Sequence, residues 1–222
     1  MTAAGASTGP GTTQQHALDG LRRAIVAGEL RPGQRVAQEE VAQRLGVSIA
    51  PVREALRVLE QEGQVTYFPR RGYFVTELQL SDLTEIYELR DVLEERAARR
   101  ALPTLDEDAL ARIDLAARDG AAAAEAGDVA AELEANRRFH FSILESPDQV
   151  HAMRVIRLLW DSTEAYRAMY YNSPEERRAA GAAHDRIIAA VRARDADVLV
   201  AELRGHRERA LEVLRGILAT NG

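Results

Sequence analysis

The chain has 222 residues, 46% hydrophobic and 29% charged, so it can bury a core and keep a solvated surface. It has no Cys, which excludes disulfides, thiolate metal sites and cysteine nucleophiles, and no apolar run near the roughly 18 residues of a membrane span. All 29 basic residues are Arg and the net charge is −6, yet residues 1–76 hold 9 Arg against 7 acids while residues 77–222 hold 20 against 28. That asymmetry is what a nucleic-acid reader joined to a part with another task would show.

The opening stretch, MTAAGASTGPGTTQQ, has neither a basic n-region nor an apolar h-region. It is expected to be a disordered tail over 1–13 rather than a signal peptide, which points to a soluble cytoplasmic protein without a membrane partner. From Gln14 to Ala27, the spacing of Leu18, Leu21, Ile25 and Val26 predicts a helix, with Gly28 as its C-cap. Gln38 to Leu45 predicts a second, short helix ended by Gly46. Ser48 reads as the N-cap of a third helix, with Pro51 in its first turn, running through Val52, Leu56 and Leu59 to Gly63. Val65–Phe68 and Tyr73–Val75 then flank Pro69-Arg70-Arg71-Gly72, which predicts a β-hairpin with two Arg at its tip.

Three compact helices and a hairpin, over residues 14–77, make a winged helix-turn-helix. Its third helix would enter the major groove of double-stranded DNA with its N-terminal residues nearest the bases. Ser48, Ile49, Ala50 and Arg53 occupy that end. Arg53 can pair with guanine or clamp a phosphate, and Arg70 and Arg71 can reach a phosphate or the minor groove. The competing reading is a non-DNA helix-turn-helix with ordinary surface arginines.

Beyond Thr76 no strand signal recurs. Six helices are expected, at about 81–102, 106–126, 128–146, 148–171, 174–194 and 195–218, broken at Pro103, Gly127, Pro147, Pro174 and Asp195. Asp82, Asp106 and Asp128 read as caps or first-turn acids. The fold class is thus mainly α: a winged helix-turn-helix followed by an all-helical bundle over 81–220.

Of the five His, His184 lies 11 residues before Asp195 and His206 lies 11 after it. In a helical hairpin turning at Asp195, both sit about 16 Å from the turn, at ~1.5 Å per residue. Asn136 and His140 share a face one turn apart, on a helix whose buried side Phe139 and Leu144 mark. Facing the pairs gives three imidazoles and an amide oxygen around one point, which suits Zn²⁺, Ni²⁺ or Mn²⁺. The alternative is four unrelated polar residues in a bundle. Arg90, on a face with Ile86, Leu89, Leu93 and Ala97, is either at a pocket or paired internally with Glu94. Thr163, Tyr166, Arg167 and Tyr170 could line a pocket wall or simply pack. His16 and His151 read as incidental.

Two sets of motifs resemble a known family. Ile25-Val26-Ala27-Gly28-Glu29-Leu30-Arg31-Pro32-Gly33, Leu45-Gly46-Val47-Ser48, Pro51-Val52-Arg53-Glu54-Ala55-Leu56, Leu59, Glu62-Gly63 and Arg71-Gly72 resemble the GntR reader over about 18–76. Leu89-Arg90-x-x-x-Glu94, Asn136-x-x-Phe139-His140, Leu159-Trp160, His184 with Ile187 and Ile188, and Arg204-Gly205-His206 resemble the FCD effector domain of its FadR branch. The count of six helices looks like the VanR-type subgroup. The resemblance implies a homodimeric regulator, expected to be a repressor, that senses a small organic acid. It implies a divalent metal held by an Asp or Asn and three His, here Asn136, His140, His184 and His206. It also implies effector contacts at Arg90, with Thr163 and Arg167 as further candidates. Two positions depart from the family: Ile49 stands where Arg usually follows the Ser, and Asn136 stands where Asp is common. No catalytic residue is expected. The competing functions are a metal-dependent enzyme acting on a small carboxylate, and a DNA-binding dimer without a ligand.

Overall fold

The computed structural model describes residues 10–221, and side chains over 13–219. The chain forms two compact units, Met1–Glu77 and Leu78–Gly222. The tail expected over 1–13 lies, for residues 1–9, outside the described residues. Residues 10–13 belong to the first helix instead.

The first unit contains α1 (Pro10–Val26), α2 (Gln38–Leu45), α3 (Ile49–Gln61) and the antiparallel pair β1 (Val65–Phe68) and β2 (Gly72–Val75). Its core is apolar, with Leu21, Val52, Leu56 and Leu59 fully buried. Gly46 makes the turn from α2 to α3. It sits at φ +66°, a left-handed conformation that costs a residue without Cβ little, and its N–H and that of Val47 close on the last carbonyls of α2. Ser48 is the N-cap residue of α3, with extended backbone, but its side chain makes no capping hydrogen bond. The hydroxyl expected to cap the helix is exposed instead. Arg35 forms an isolated bridge with Phe74, adding a third short edge to the hairpin.

The second unit contains α4 (Leu80–Ala101), a 3₁₀ turn at Leu102–Thr104, α5 (Glu107–Ala126), α6 (Val129–Leu144), α7 (Val150–Ser162), α8 (Glu164–Tyr171), α9 (Pro174–Ala193) and α10 (Ala196–Asn221). Asp106 and Asp128 cap α5 and α6, each accepting the N–H three residues on. Asp82 sits in the first turn of α4 and accepts from the Gln79 N–H. The core gathers Phe139, Ile143, Leu144, Ile156, Trp160, Ile187 and Leu203.

Two expectations need correction. The single helix expected over 148–171 is two helices, so the described residues hold seven α-helices here, and the six-helix count loses its basis. The break is at Thr163 (φ −104°, ψ 7°), where no Pro or Gly stands. The Thr163 hydroxyl donates to the carbonyls of Leu159 and Trp160, and Arg167 Nη2 donates to the same Trp160 carbonyl at 3.2 Å. Side-chain donors that take over helical carbonyls bend or interrupt a helix. On α4, Leu89 is 46% exposed, and the inward stripe is Leu83, Tyr87, Arg90, Glu94, Ala97, Ala98 and Ala101. A buried ion pair shifts that stripe away from the one the apolar residues alone suggest.

Candidate DNA-reading face and histidine centre

On α3 the apolar positions Val52, Ala55, Leu56 and Leu59 face the core. The same periodicity leaves Ser48, Ile49, Ala50, Arg53 and Arg57 exposed along the opposite side. Arg53, Arg57, Arg70 and Arg71, together with Arg35, Gln38 and Tyr67, line an open depression of about 660 Å³ between α3 and the hairpin. No carboxylate lines it. The wing tip is tightly built. Arg70 takes φ +66°, and the Arg71 N–H closes the turn on the Phe68 carbonyl. The Arg71 guanidinium lies 5.0 Å from the Phe74 ring centre and 5.7 Å from that of Phe68. Arg35 Nε donates to the Arg71 carbonyl at 3.0 Å. The sequence reading missed Arg35 and Arg57. Arg35 lies before the second helix in a stretch to which no element was assigned, and a single bridging residue leaves no strand pattern.

In the bundle, α6 carries Asn136 and His140, α9 carries His184 and α10 carries His206. One ligand atom from each of the three imidazoles lies within 4.8 Å of the others. The ring centres are 5.4 Å apart for His140–His184, 5.2 Å for His140–His206 and 5.1 Å for His184–His206. The turn that levels His184 with His206 is made by Arg194 in the left-handed region, at φ +56°. Burial, reinforced by Arg207 and Arg90, holds His206 down to about 4, and burial with the neighbouring imidazoles pushes His140 and His184 well below the ordinary imidazole range. All three rings are therefore neutral near pH 7, the form that ligates a metal.

The donor set fits a first-row divalent ion on an observation independent of charge. Asn136 Oδ1, both ring nitrogens of His140 and His184 Nε2 are buried without a hydrogen-bond partner. An unsatisfied buried polar group costs about 1–3 kcal/mol, so these orphaned atoms beside the three-imidazole cluster call for an occupant.

Beside this centre lies a buried charge cluster. Glu94, fully buried, accepts from Arg90 Nε (2.8 Å), Trp160 Nε1 (2.7 Å) and Arg207 Nη1 (2.8 Å). Burial would raise its carboxyl, but the two guanidiniums and the indole outweigh it and hold it below the usual range. Arg90 and Arg167 stand over the Trp160 ring at 4.3 and 4.5 Å. Arg167 is 5% exposed, and its Nε and Nη1 have no partner. A small cavity of about 30 Å³ joins these groups to the centre, lined among others by Arg90, Asn136, His140, Arg167, Tyr170, His206 and Arg207. Arg90 and Arg167 therefore meet at the centre. Thr163 does not line the cavity, its hydroxyl being bonded to backbone, and neither does Tyr166. His16 lies by the Leu45 carbonyl in the first unit, and His151 is exposed. Arg207 and Tyr171 were not foreseen. Arg207 follows His206 directly, but only the rotation of α10 brings it inward.

A winged reading head followed by a helical bundle is an architecture found in transcription regulators. The bacterial regulatory proteins, gntR family, match residues 13–75, and the FCD domain matches residues 85–209. The chain belongs to the GntR family of regulators, with an FCD effector-binding domain. It is 30% identical to the Nta operon transcriptional regulator of Aminobacter aminovorans, covering 86% of this chain and 91% of that one. It is 26% identical to the HTH-type regulator YdhC of Bacillus subtilis, over 89% of each. The solved structure of Escherichia coli McbR/YncC matches with a TM-score of 0.80 at 25% identity, over 93% of this chain and 98% of that one.

Proposed function

We propose that the chain is a homodimeric, cytoplasmic repressor whose reader, residues 14–77, binds a near-palindromic operator. Its bundle, residues 81–220, dimerises and senses a small carboxylate at a metal centre. Asn136, His140, His184 and His206 hold a divalent ion, with Zn²⁺, Ni²⁺ and Mn²⁺ the fitting choices. When bound, that ion supplies an electrophilic anchor for an anionic effector. Arg167 offers the effector two free N–H donors from a site where a charge without a partner is costly. Arg90 orients the wall through its pair with Glu94 and contacts the effector at the edge of its guanidinium. Arg53 reads base edges, Ser48, Ile49 and Ala50 lie against the groove, and Arg70 and Arg71 hold phosphates. Effector binding changes DNA affinity only as far as it prefers one arrangement of the two readers.

The observation that carries the reading is the cluster of three neutral imidazoles, two of which, His140 and His206, share one small cavity with the orphaned Asn136 and the orphaned Arg167 guanidinium. It is tested by mobility shift on DNA from the chain's own promoter region, with a panel of small mono-, di- and tricarboxylates. The expected result is release by one of them from metal-loaded protein, abolished by Arg167→Met or by chelation. Release that is unchanged in both would overturn the sensor reading.

A further inference from the structure

We propose that the bundle carries a second ligand site, on the α5, α6 and α9 side of the histidine centre. It is shaped for a compact neutral molecule with hydroxyl groups on adjacent carbons. A second cavity of about 150 Å³, bordered by Asn136 and His184 of that centre, opens there, about the volume that accepts a six-carbon ring. Its mouth is formed by exposed residues of α5 and α9, Ala121, Gly181 and Asp185. Its walls are methyl groups and backbone, from Ala116, Gly120 and Ala180.

The inner end is different. Glu132 is 5% exposed and Tyr171 is 3% exposed, and both Glu132 Oε2 and Tyr171 Oη lack a hydrogen-bond partner. Glu132 stands one helical turn before Asn136, which also lines the cavity. These are buried groups with bonds still to make, aimed into a space that a molecule of about six non-hydrogen atoms can fill.

The charge balance selects the chemistry. Arg177 Nη1 lies 3.9 Å from Glu132 Oε2, too far for a hydrogen bond, and donates to the Ala124 carbonyl at 3.3 Å. Asp185 is at the exposed mouth, where water screens it, and at the inner end Glu132 faces only Arg177, so that end favours neither an anion nor a cation. Glu132, when ionised, only accepts, whereas Tyr171 both donates and accepts. A hydroxyl donates to the first, and a neighbouring hydroxyl exchanges with the second. The carbon chain between them lies against the methyl-lined walls. A three-carbon polyol has this pattern and this size.

The cavity shares Asn136 and His184 with the histidine centre, but the contacts proposed here are those of Glu132 and Tyr171, which are not among the metal donors. The test is calorimetric titration of the full-length protein with glycerol and with 1-propanol, which has the same carbon skeleton and a single hydroxyl. The expected result is saturable glycerol binding at least ten-fold tighter than that of 1-propanol. Glu132→Met keeps the side-chain length, removes the acceptor and should abolish the ten-fold preference. Gly181→Leu is expected to narrow the mouth, and the Cβ it adds meets nothing within 4 Å. That variant should lose binding of both probes while its circular dichroism and its metal content stay those of the wild type. Glycerol binding no tighter than 1-propanol, or unchanged in Gly181→Leu, would overturn the site. Failure of the metal reading would instead appear as wild-type protein without metal, leaving the glycerol comparison intact.

Discussion

The two units use arginine in opposite ways. In the reader, Arg53, Arg57, Arg70 and Arg71 are exposed around an open depression, Arg57 paired with Glu54 on its own helix, and water meets their remaining donors until a phosphate displaces it. In the bundle, Arg90, Arg167 and Arg207 are 3–5% exposed, and their guanidiniums are either bonded to Glu94 and Asp91 or left with free donors. An exposed basic face costs the free protein little. A buried guanidinium with two idle donors is a standing cost that a ligand can remove. The reader's function is therefore marked by charge and shape, and the bundle's by unmet hydrogen bonds.

The contrast can be broken most severely at Glu94. Glu94→Ala leaves the guanidiniums of Arg90 and Arg207 buried without their carboxylate, which should cost about 3–5 kcal/mol. In thermal unfolding this is a fall in Tm of roughly 10 °C, at ~2–4 °C per kcal/mol for a chain of this size. A fall within the scatter of exposed-residue variants would show that the cluster does not hold the bundle. Arg53→Ala should leave Tm unchanged and weaken operator binding by about 1–3 kcal/mol, read by fluorescence anisotropy. Unchanged affinity there would remove α3 from the major groove. Arg71→Ala should act more mildly, lowering the slope of log affinity against log salt by about 1 on any sequence. Ile49→Arg, which restores the common family residue, should raise the same slope by a similar amount.

A pH-dependent effect concerns Glu132, whose carboxyl burial raises to about 7, against an ordinary value of 4.5. Its folded-state value lies above its unfolded one, so the native state holds the proton longer. The stability this confers is fully present below about pH 4.5 and lost as pH rises through about 7. Glu132→Gln should flatten that part of the denaturation profile. A profile that keeps its slope would place the titration elsewhere.

These contrasts also govern what the sequence could reveal. The helix order, the wing and the level of His184 with His206 follow from periodicity, turn residues and 1.5 Å of rise per residue, which are local rules. What stayed hidden depends on helix rotation and on polar burial. Arg207 turns inward, and the α4 stripe runs through Arg90 and Glu94 rather than Leu89, because a charge pair fills core positions that hydrophobicity assigns to apolar residues. Thr163 breaks a helix through side-chain bonds to carbonyls that no Pro or Gly announces. Arg35 joins the wing by one bridge and one hydrogen bond, too short a signal to read as a strand.

The central claim is that the orphaned atoms of Asn136, His140 and His184, with His206, hold a metal. Elemental analysis of the full-length protein, purified without chelator, tests it most directly when the wild type is compared with His140→Ala. The account predicts a stoichiometric first-row divalent metal in the wild type, lost in the variant while its helical circular dichroism is retained. A wild-type protein that stays metal-free after incubation with Zn²⁺, Ni²⁺ and Mn²⁺, or a variant that binds as much as the wild type, would contradict it.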